Sequence, residues 1–236
     1  MKPTIIILHG WGTTMSGERY SVLKKLFASK DYPVFAPDLP GFGKEKLQKP
    51  VMVLDDYVHF VDVFMRKNNI KKAVLLGHSF GGRIAAKFSV AHPDKVEKLI
   101  LTGAPLIKRK LSLKKKIAFL AAKSGKIFLA LFPKTVQNLG KKVLYRSIGE
   151  WDYYKSEELK ETLQAILKED LAPLLPKITV STMVIWGGKD TFVSVLDGKE
   201  IAAKIKNARL IIIEEATHKL PYEYPSQFFD AVVSFL

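Results

Sequence analysis

Six short apolar runs recur along this chain, and stretches of helical period separate them. The runs cover residues 4–8, 33–36, 72–77, 98–102, 182–186 and 209–213. Each is nearly continuous rather than alternating, which is how a strand covered on both faces reads. Between them, Leu54–Lys67 carries Tyr57, Phe60, Val61 and Phe64 at spacings of three and four. Ile84, Ala85 and Phe88 continue a helix after Ser79, and residues 195–205 and 225–236 give two more. Strand and helix alternating in this way predict an α/β fold: a doubly wound, mostly parallel sheet of about six strands with right-handed crossovers. At 236 residues and 47% apolar, the chain can bury one sizeable core.

The alternation breaks once. About eighty residues separate the run ending at Thr102 from the one starting at Thr182, whereas a crossover needs only ~10–15. The excess is helix-like and amphipathic, and predicts a helical cap inserted over 106–175. The core is then 1–105 together with 176–236, and Pro173 and Pro176 mark the return to the sheet.

The net charge of +15 is unevenly placed. Residues 106–149 hold twelve Lys/Arg and no acid, whereas 150–236 hold ten Lys/Arg and fourteen acids. A charge run is most often a solvated face. Here Ile117, Leu120, Ile127, Phe128, Leu131 and Phe132 lie between the lysines, so those apolar residues are expected to cover a site and line an acyl pocket. Weak contact with an anionic surface or an acidic partner through 106–149 is the functional alternative. The charge matches no nucleic-acid-binding module, and no nucleic-acid partner is expected. There are no cysteines, which excludes disulfides, thiol catalysis and zinc–thiolate sites, and fits a reducing compartment. No targeting segment is recognisable, and no apolar run approaches the ~20 residues that cross a bilayer. The expected location is the cytoplasm, with no cofactor and no metal.

The chemistry concentrates at Gly77-His78-Ser79-Phe80-Gly81-Gly82. This is G-x-S-x-G between a strand and a helix, a turn so tight that its flanks must be glycine. It lifts the Ser79 hydroxyl above the C-terminal edge of the sheet and points the Phe80 N–H at a developing oxyanion. A serine hydroxyl needs a base near neutral pH. Of five histidines, His78 is adjacent in sequence and should aim away from the Ser79 proton. His59 reads as a surface residue, His92 as a helix C-terminus before Pro93, and His9 as part of another motif. His218, in the loop after the last strand, remains as the base. Asp190 follows the fifth strand through Gly187-Gly188-Lys189 and can orient that base, with Asp197 the weaker candidate. The order Ser79, Asp190, His218 is one of the known triad orders. After the first strand stands His9-Gly10-Trp11-Gly12, whose Trp11 N–H would join that of Phe80 as a second oxyanion donor.

Taken together, these pieces resemble the α/β-hydrolase superfamily over essentially the whole chain. The matching residues are His9-Gly10-Trp11-Gly12, Asp38-Leu39-Pro40-Gly41-Phe42-Gly43, the 77–82 turn, Trp186-Gly187-Gly188-Lys189-Asp190, and His218 followed by Glu223 and Pro225. The resemblance implies hydrolysis at the sheet's C-terminal edge under a helical cap. Two departures stand out. The chain starts at the family's third strand, so the N-terminal hairpin is expected to be missing. Thr217 stands before the base, where family members usually have Gly.

Serine at the turn argues against haloalkane dehalogenases and epoxide hydrolases, which carry aspartate there. Carbon–carbon bond hydrolases of this type usually place Trp after the base, where this chain has Lys219. The expectation is therefore a serine hydrolase cleaving small or medium carboxylic esters through an acyl-enzyme. A carbon–carbon bond hydrolase or a thioesterase of the same fold is the alternative. A slow-turnover ligand-binding homologue, which would keep all three residues, is the alternative of another class.

Overall fold

The computed structural model describes residues 2–12, 14–108 and 157–236. Among them, six strands form one parallel sheet: β1 (Ile5–Leu8), β2 (Val34–Phe35), β3 (Ala73–His78), β4 (Val96–Thr102), β5 (Thr182–Gly187) and β6 (Ala208–Ile213). Their spatial order is β2-β1-β3-β4-β5-β6. The chain leaves β1 in one direction to make β2, then returns past β1 to make β3 and continues the other way. The reversal lies between β1 and β3, where open parallel sheets form a crevice at their C-terminal edge. Register keeps the edge level there: Leu8 pairs with Gly77, and Gly77 with Leu101.

Strand residues alternate between two apolar layers, as a pleat of period two requires. Ile6, Leu8, Leu75, Leu99, Leu101, Val184 and Trp186 face one layer, with α2 (Leu54–Lys67) and α3 (Phe80–Ala91) packed over them. Ile5, Ile7, Val74, Leu76, Ile100, Met183 and Ile185 face the other, against α1 (Ser21–Ala28) and the C-terminal helix (Pro225–Val233). Double coverage is complete for β1, β3 and β5, whose residues are all buried. It fails at β2 and β6, which are only half-buried for most of their length. These two are the edges of the sheet, with a neighbouring strand on one side only. β2 also shrinks from the four residues expected to two.

Helix ends follow local chemistry. Ser194 Oγ accepts the Leu196 N–H at the start of the Val195–Lys204 helix. Asp56 in the first turn of α2 accepts the Val53 N–H at 2.7 Å, and a carboxylate there also suits the helix dipole.

Residues 109–156 lie outside the described residues. They contain most of the expected cap and nearly all of the basic segment, with its interleaved apolar residues. The described parts of 106–175 pack onto the core. Leu106, Leu171 and Leu175 are buried in the layer that also holds α2 and α3. The helix Glu157–Lys168 contributes Leu159 and Ile166 to the same layer, and Thr162 Oγ1 accepts the Met52 N–H at 3.0 Å. Arg83 of α3 donates to the carbonyls of Pro105, Ile166 (2.9 Å) and Glu169 (2.6 Å). One buried guanidinium thus joins the two chain segments that flank 109–156 in sequence. Among the described residues no helix is long and apolar enough to cross a membrane.

Candidate active site

Ser79 closes β3 and opens α3 with φ 53° and ψ −112°. A non-glycine residue in this left-handed region costs on the order of 1–3 kcal/mol, so the surroundings must impose it. The Ser79 N–H donates to Thr102 O at 2.9 Å, and the Gly81 N–H to His9 O at 3.0 Å. Close approach explains the glycines. A Cβ on Gly77 would sit 2.6 Å from the Gly81 carbonyl oxygen, and one on Gly81 would sit 2.0 Å from that of Leu8. Either methyl would push β3, β1 and α3 apart and release the turn.

His218 and Asp190 come together from different strands. Asp190 stands in the turn after β5, and His218 in the loop after β6. Asp190 Oδ2 lies 2.8 Å from His218 Nδ1, and Asp190 Oδ1 accepts the N–H groups of Phe192 (2.8 Å) and Val193 (2.9 Å). A carboxylate accepts in all three, so His218 Nδ1 carries the proton and Nε2 presents its lone pair. The Asp190 side chain is 1% exposed and the His218 side chain 15%. The acid is therefore dry and the ring partly open. Asp197, the weaker candidate, is buried in the first turn of the Val195–Lys204 helix. It is Asp190 that lies against His218.

The remaining sequence candidates gather at the β1/β3 crevice. Trp11 and Phe80 pack their rings edge to face at 5.1 Å, with Phe42 4.9 Å from Trp11. Gly10 lies against the turn, since a Cβ on it would sit 3.3 Å from Ser79 Cβ. His9 is buried and serves the loops: its Nδ1 bonds Gly10 O at 2.8 Å, and its Nε2 accepts the Leu39 N–H at 3.0 Å. Burial holds its pKa below the usual range, opposed by the Gly10 bond and by Asp38. Asp38 accepts N–H bonds from Gly17 and Lys44, which shapes the 38–43 loop. His59 is exposed and His92 ends α3, as their sequence contexts suggest. Thr217, in place of the usual glycine, bonds Glu223 Oε2 at 2.7 Å and accepts the Lys219 N–H at 3.2 Å, bracing both sides of His218.

Three contacts of His218 have no clear signal in the sequence. Gly103, at φ 56°, packs so closely that a Cβ would meet His218 Nδ1 and Cε1 at 2.9 Å. A glycine directly after a strand at this edge is the only hint of it. Phe192, 53% exposed, lays its ring 5.2 Å from that of His218 at 32°. His78, flanking the serine, bonds the main chain of His218.

The alpha/beta hydrolase fold family model matches residues 3–225. A 2-hydroxy-6-oxo-6-phenylhexa-2,4-dienoate hydrolase of Comamonas testosteroni is 27% identical, covering 98% of this chain and 87% of its own. A 2-hydroxy-6-oxononadienedioate/2-hydroxy-6-oxononatrienedioate hydrolase of Pseudomonas putida is 26% identical, covering 100% and 88%. Among solved structures, the enol-lactonase from Burkholderia xenovorans LB400 superposes with a TM-score of 0.74 at 22% identity, covering 100% of this chain and 92% of its own. That likeness is one of fold. The chain belongs to the alpha/beta hydrolase fold family, and hydrolase is the enzyme class that its matches support.

Proposed function

We propose that this protein hydrolyses carboxylic esters of small or medium acyl groups through an acyl-enzyme on Ser79. The observation that carries the reading is the 2.8 Å bond between His218 Nδ1 and an Asp190 carboxylate whose other oxygen is held by two backbone N–H groups. A ring fixed in that tautomer offers Nε2 as a base. It takes the Ser79 Oγ proton as Oγ attacks the ester carbonyl carbon. Negative charge moves to the carbonyl oxygen, where the N–H groups of Trp11 and Phe80 receive it. Collapse breaks the ester C–O bond, and the leaving alkoxide takes the proton from His218. Water then repeats the sequence: His218 removes its proton, the hydroxide attacks the acyl carbon, and Ser79 Oγ leaves with the proton returned. Asp190 balances the imidazolium in both halves.

A second reading is hydrolysis of a carbon–carbon bond in a 2-hydroxy-6-oxo-dienoate. What favours it is the 26–27% identity to hydrolases named for such substrates over nearly the whole chain. Against it stands Lys219 after the base. A series of p-nitrophenyl acyl esters assayed beside 2-hydroxy-6-oxo-6-phenylhexa-2,4-dienoate decides between them. A larger kcat/KM on an ester, abolished in Ser79→Ala, supports the first reading. A larger value on the dienoate replaces it with the second.

A further inference from the structure

His78 and Tyr20 are buried polar residues that the reaction above does not use. Tyr20 is fully buried and His78 is 2% exposed. Tyr20 Oη lies 2.7 Å from His78 Nδ1, and His78 Nε2 lies 2.8 Å from the main-chain oxygen of His218. The directions follow from the partners. A carbonyl can only accept, so His78 Nε2 carries a proton. Burial, with His218 adding to it, pushes the His78 pKa down to about 3, so the ring is neutral and Nδ1 accepts from the Tyr20 hydroxyl. Burial also raises the Tyr20 pKa, which keeps that hydroxyl a donor. The result is a one-way chain: Tyr20 O–H to His78 Nδ1, then His78 Nε2–H to His218 O. Its surroundings are aromatic: the Tyr222 ring stands 5.9 Å from Tyr20 and 5.8 Å from His78, edge to face in each case.

We propose that Tyr20 and His78 are positioning residues for the base, fixing the main chain of His218 relative to Ser79. This rests on the reading of Ser79 and His218 as nucleophile and base. The reason is connectivity. His78 is covalently next to Ser79, so its bond to His218 O ties the nucleophile's strand to the base's loop. Asp190 holds the imidazole at its far nitrogen, and His78 holds the backbone from which that imidazole hangs. With the second tether gone, the loop can shift while the Asp190 bond persists, and the His218 main chain is no longer tied to the residue beside Ser79. Misplacement by ~1 Å can cost ~10²-fold in rate. Such a loss falls on kcat, because Tyr20 and His78 are buried and offer the ester no surface to bind.

The test uses the full-length protein and a p-nitrophenyl ester. His78→Met removes the N–H, whereas His78→Gln can reach the same carbonyl with an amide N–H. Tyr20→Phe removes one oxygen. Expected results are a ~10–100-fold fall in kcat for His78→Met with KM within about twofold, and recovery of most of that loss in His78→Gln. Tyr20→Phe should fall between them. The rate at which a fluorophosphonate labels Ser79 should follow kcat. Wild-type kcat in His78→Met overturns the proposal, as does an equal loss in His78→Met and His78→Gln. Should His78→Met fail to fold, Tyr20→Phe carries the test, and wild-type kcat there overturns it. Ser79→Ala separates the two levels. An inactive Ser79→Ala beside an unimpaired His78→Met rejects the positioning role alone, and an active Ser79→Ala rejects the nucleophile and this role together.

Discussion

Asp190 binds His218 through one oxygen and the backbone of its own turn through the other. Oδ2 lies 2.8 Å from Nδ1, while the N–H groups of Phe192 and Val193 hold Oδ1. The carboxylate cannot rotate without giving up bonds on both sides. That fixes the carboxylate against the His218 ring, unlike a surface acid that happens to lie near.

Asp190→Asn keeps the shape but can present an N–H to His218, which favours the wrong tautomer. The expected loss in kcat is ~10³–10⁴-fold with a native circular dichroism spectrum. Asp197→Asn, in the first turn of the next helix, should leave kcat within a few-fold. Full activity in Asp190→Asn, with the loss appearing in Asp197→Asn instead, would move the acid to Asp197.

Ser79 holds a conformation that suits glycine. Ser79→Gly should therefore raise the unfolding free energy by roughly 1 kcal/mol, the relieved strain being offset in part by glycine's greater freedom in the unfolded chain. The same variant should lose ~10⁴-fold or more in kcat. Urea unfolding and ester turnover on one preparation check both. A less stable Ser79→Gly contradicts the strain argument.

Gly103 leaves no room beside the His218 ring. Gly103→Ala places a methyl 2.9 Å from two atoms of the His218 ring at a backbone φ of 56°. The ring must shift, and kcat should fall ~10–100-fold, with about 1 kcal/mol lost from stability through the left-handed alanine. A fluorophosphonate should label Ser79 more slowly by a similar factor. Unchanged labelling would show that the His218 loop moves aside without consequence.

Acid should weaken the fold through His78. Its pKa falls from 6.5 in the unfolded chain to about 3 in the folded protein, so between those values the unfolded state binds the extra proton. Stability then rises with pH across that window and is lost as pH falls from about 6.5 toward 3. The contribution at the acid end is on the order of several kcal/mol. His9, also lowered by burial, acts in the same direction. Denaturant midpoints from pH 7 to pH 4 should drop less steeply in His78→Gln than in wild type. Parallel curves would mean that other groups carry the acid sensitivity.

Arg83 should be costly to remove. It serves the carbonyls of Pro105, Ile166 and Glu169 with one group. Arg83→Met leaves these acceptors without their donor in a mostly buried place, at roughly 1–3 kcal/mol for each acceptor that water cannot reach. A melting temperature lowered by several degrees is expected, and an unchanged one would show that water replaces the guanidinium.

Much of the fold is legible in the sequence because its signals are local. Continuous apolar runs mark strands, and helix spacing marks α2 with both of its ends. The glycines around Ser79 mark a turn that tolerates no side chain. Parallel strands ending at one edge also put Ser79, Asp190 and His218 on the same side, since each follows its own strand. Other features depend on where remote segments meet. That β2 and β6 are edges follows from strand order, which hydrophobic pattern does not encode. That Asp190 rather than Asp197 meets His218 follows from a turn only a few residues long and the placement of the β6 loop beside it. Tyr20 against His78, and His78 against the carbonyl of residue 218, join positions 58 and 140 residues apart. No local periodicity records such a pairing. The first exists because the segment after β1 packs beside β3, and the second because the loop after β6 reaches back over the sheet edge to β3; both are decided only when the sheet assembles.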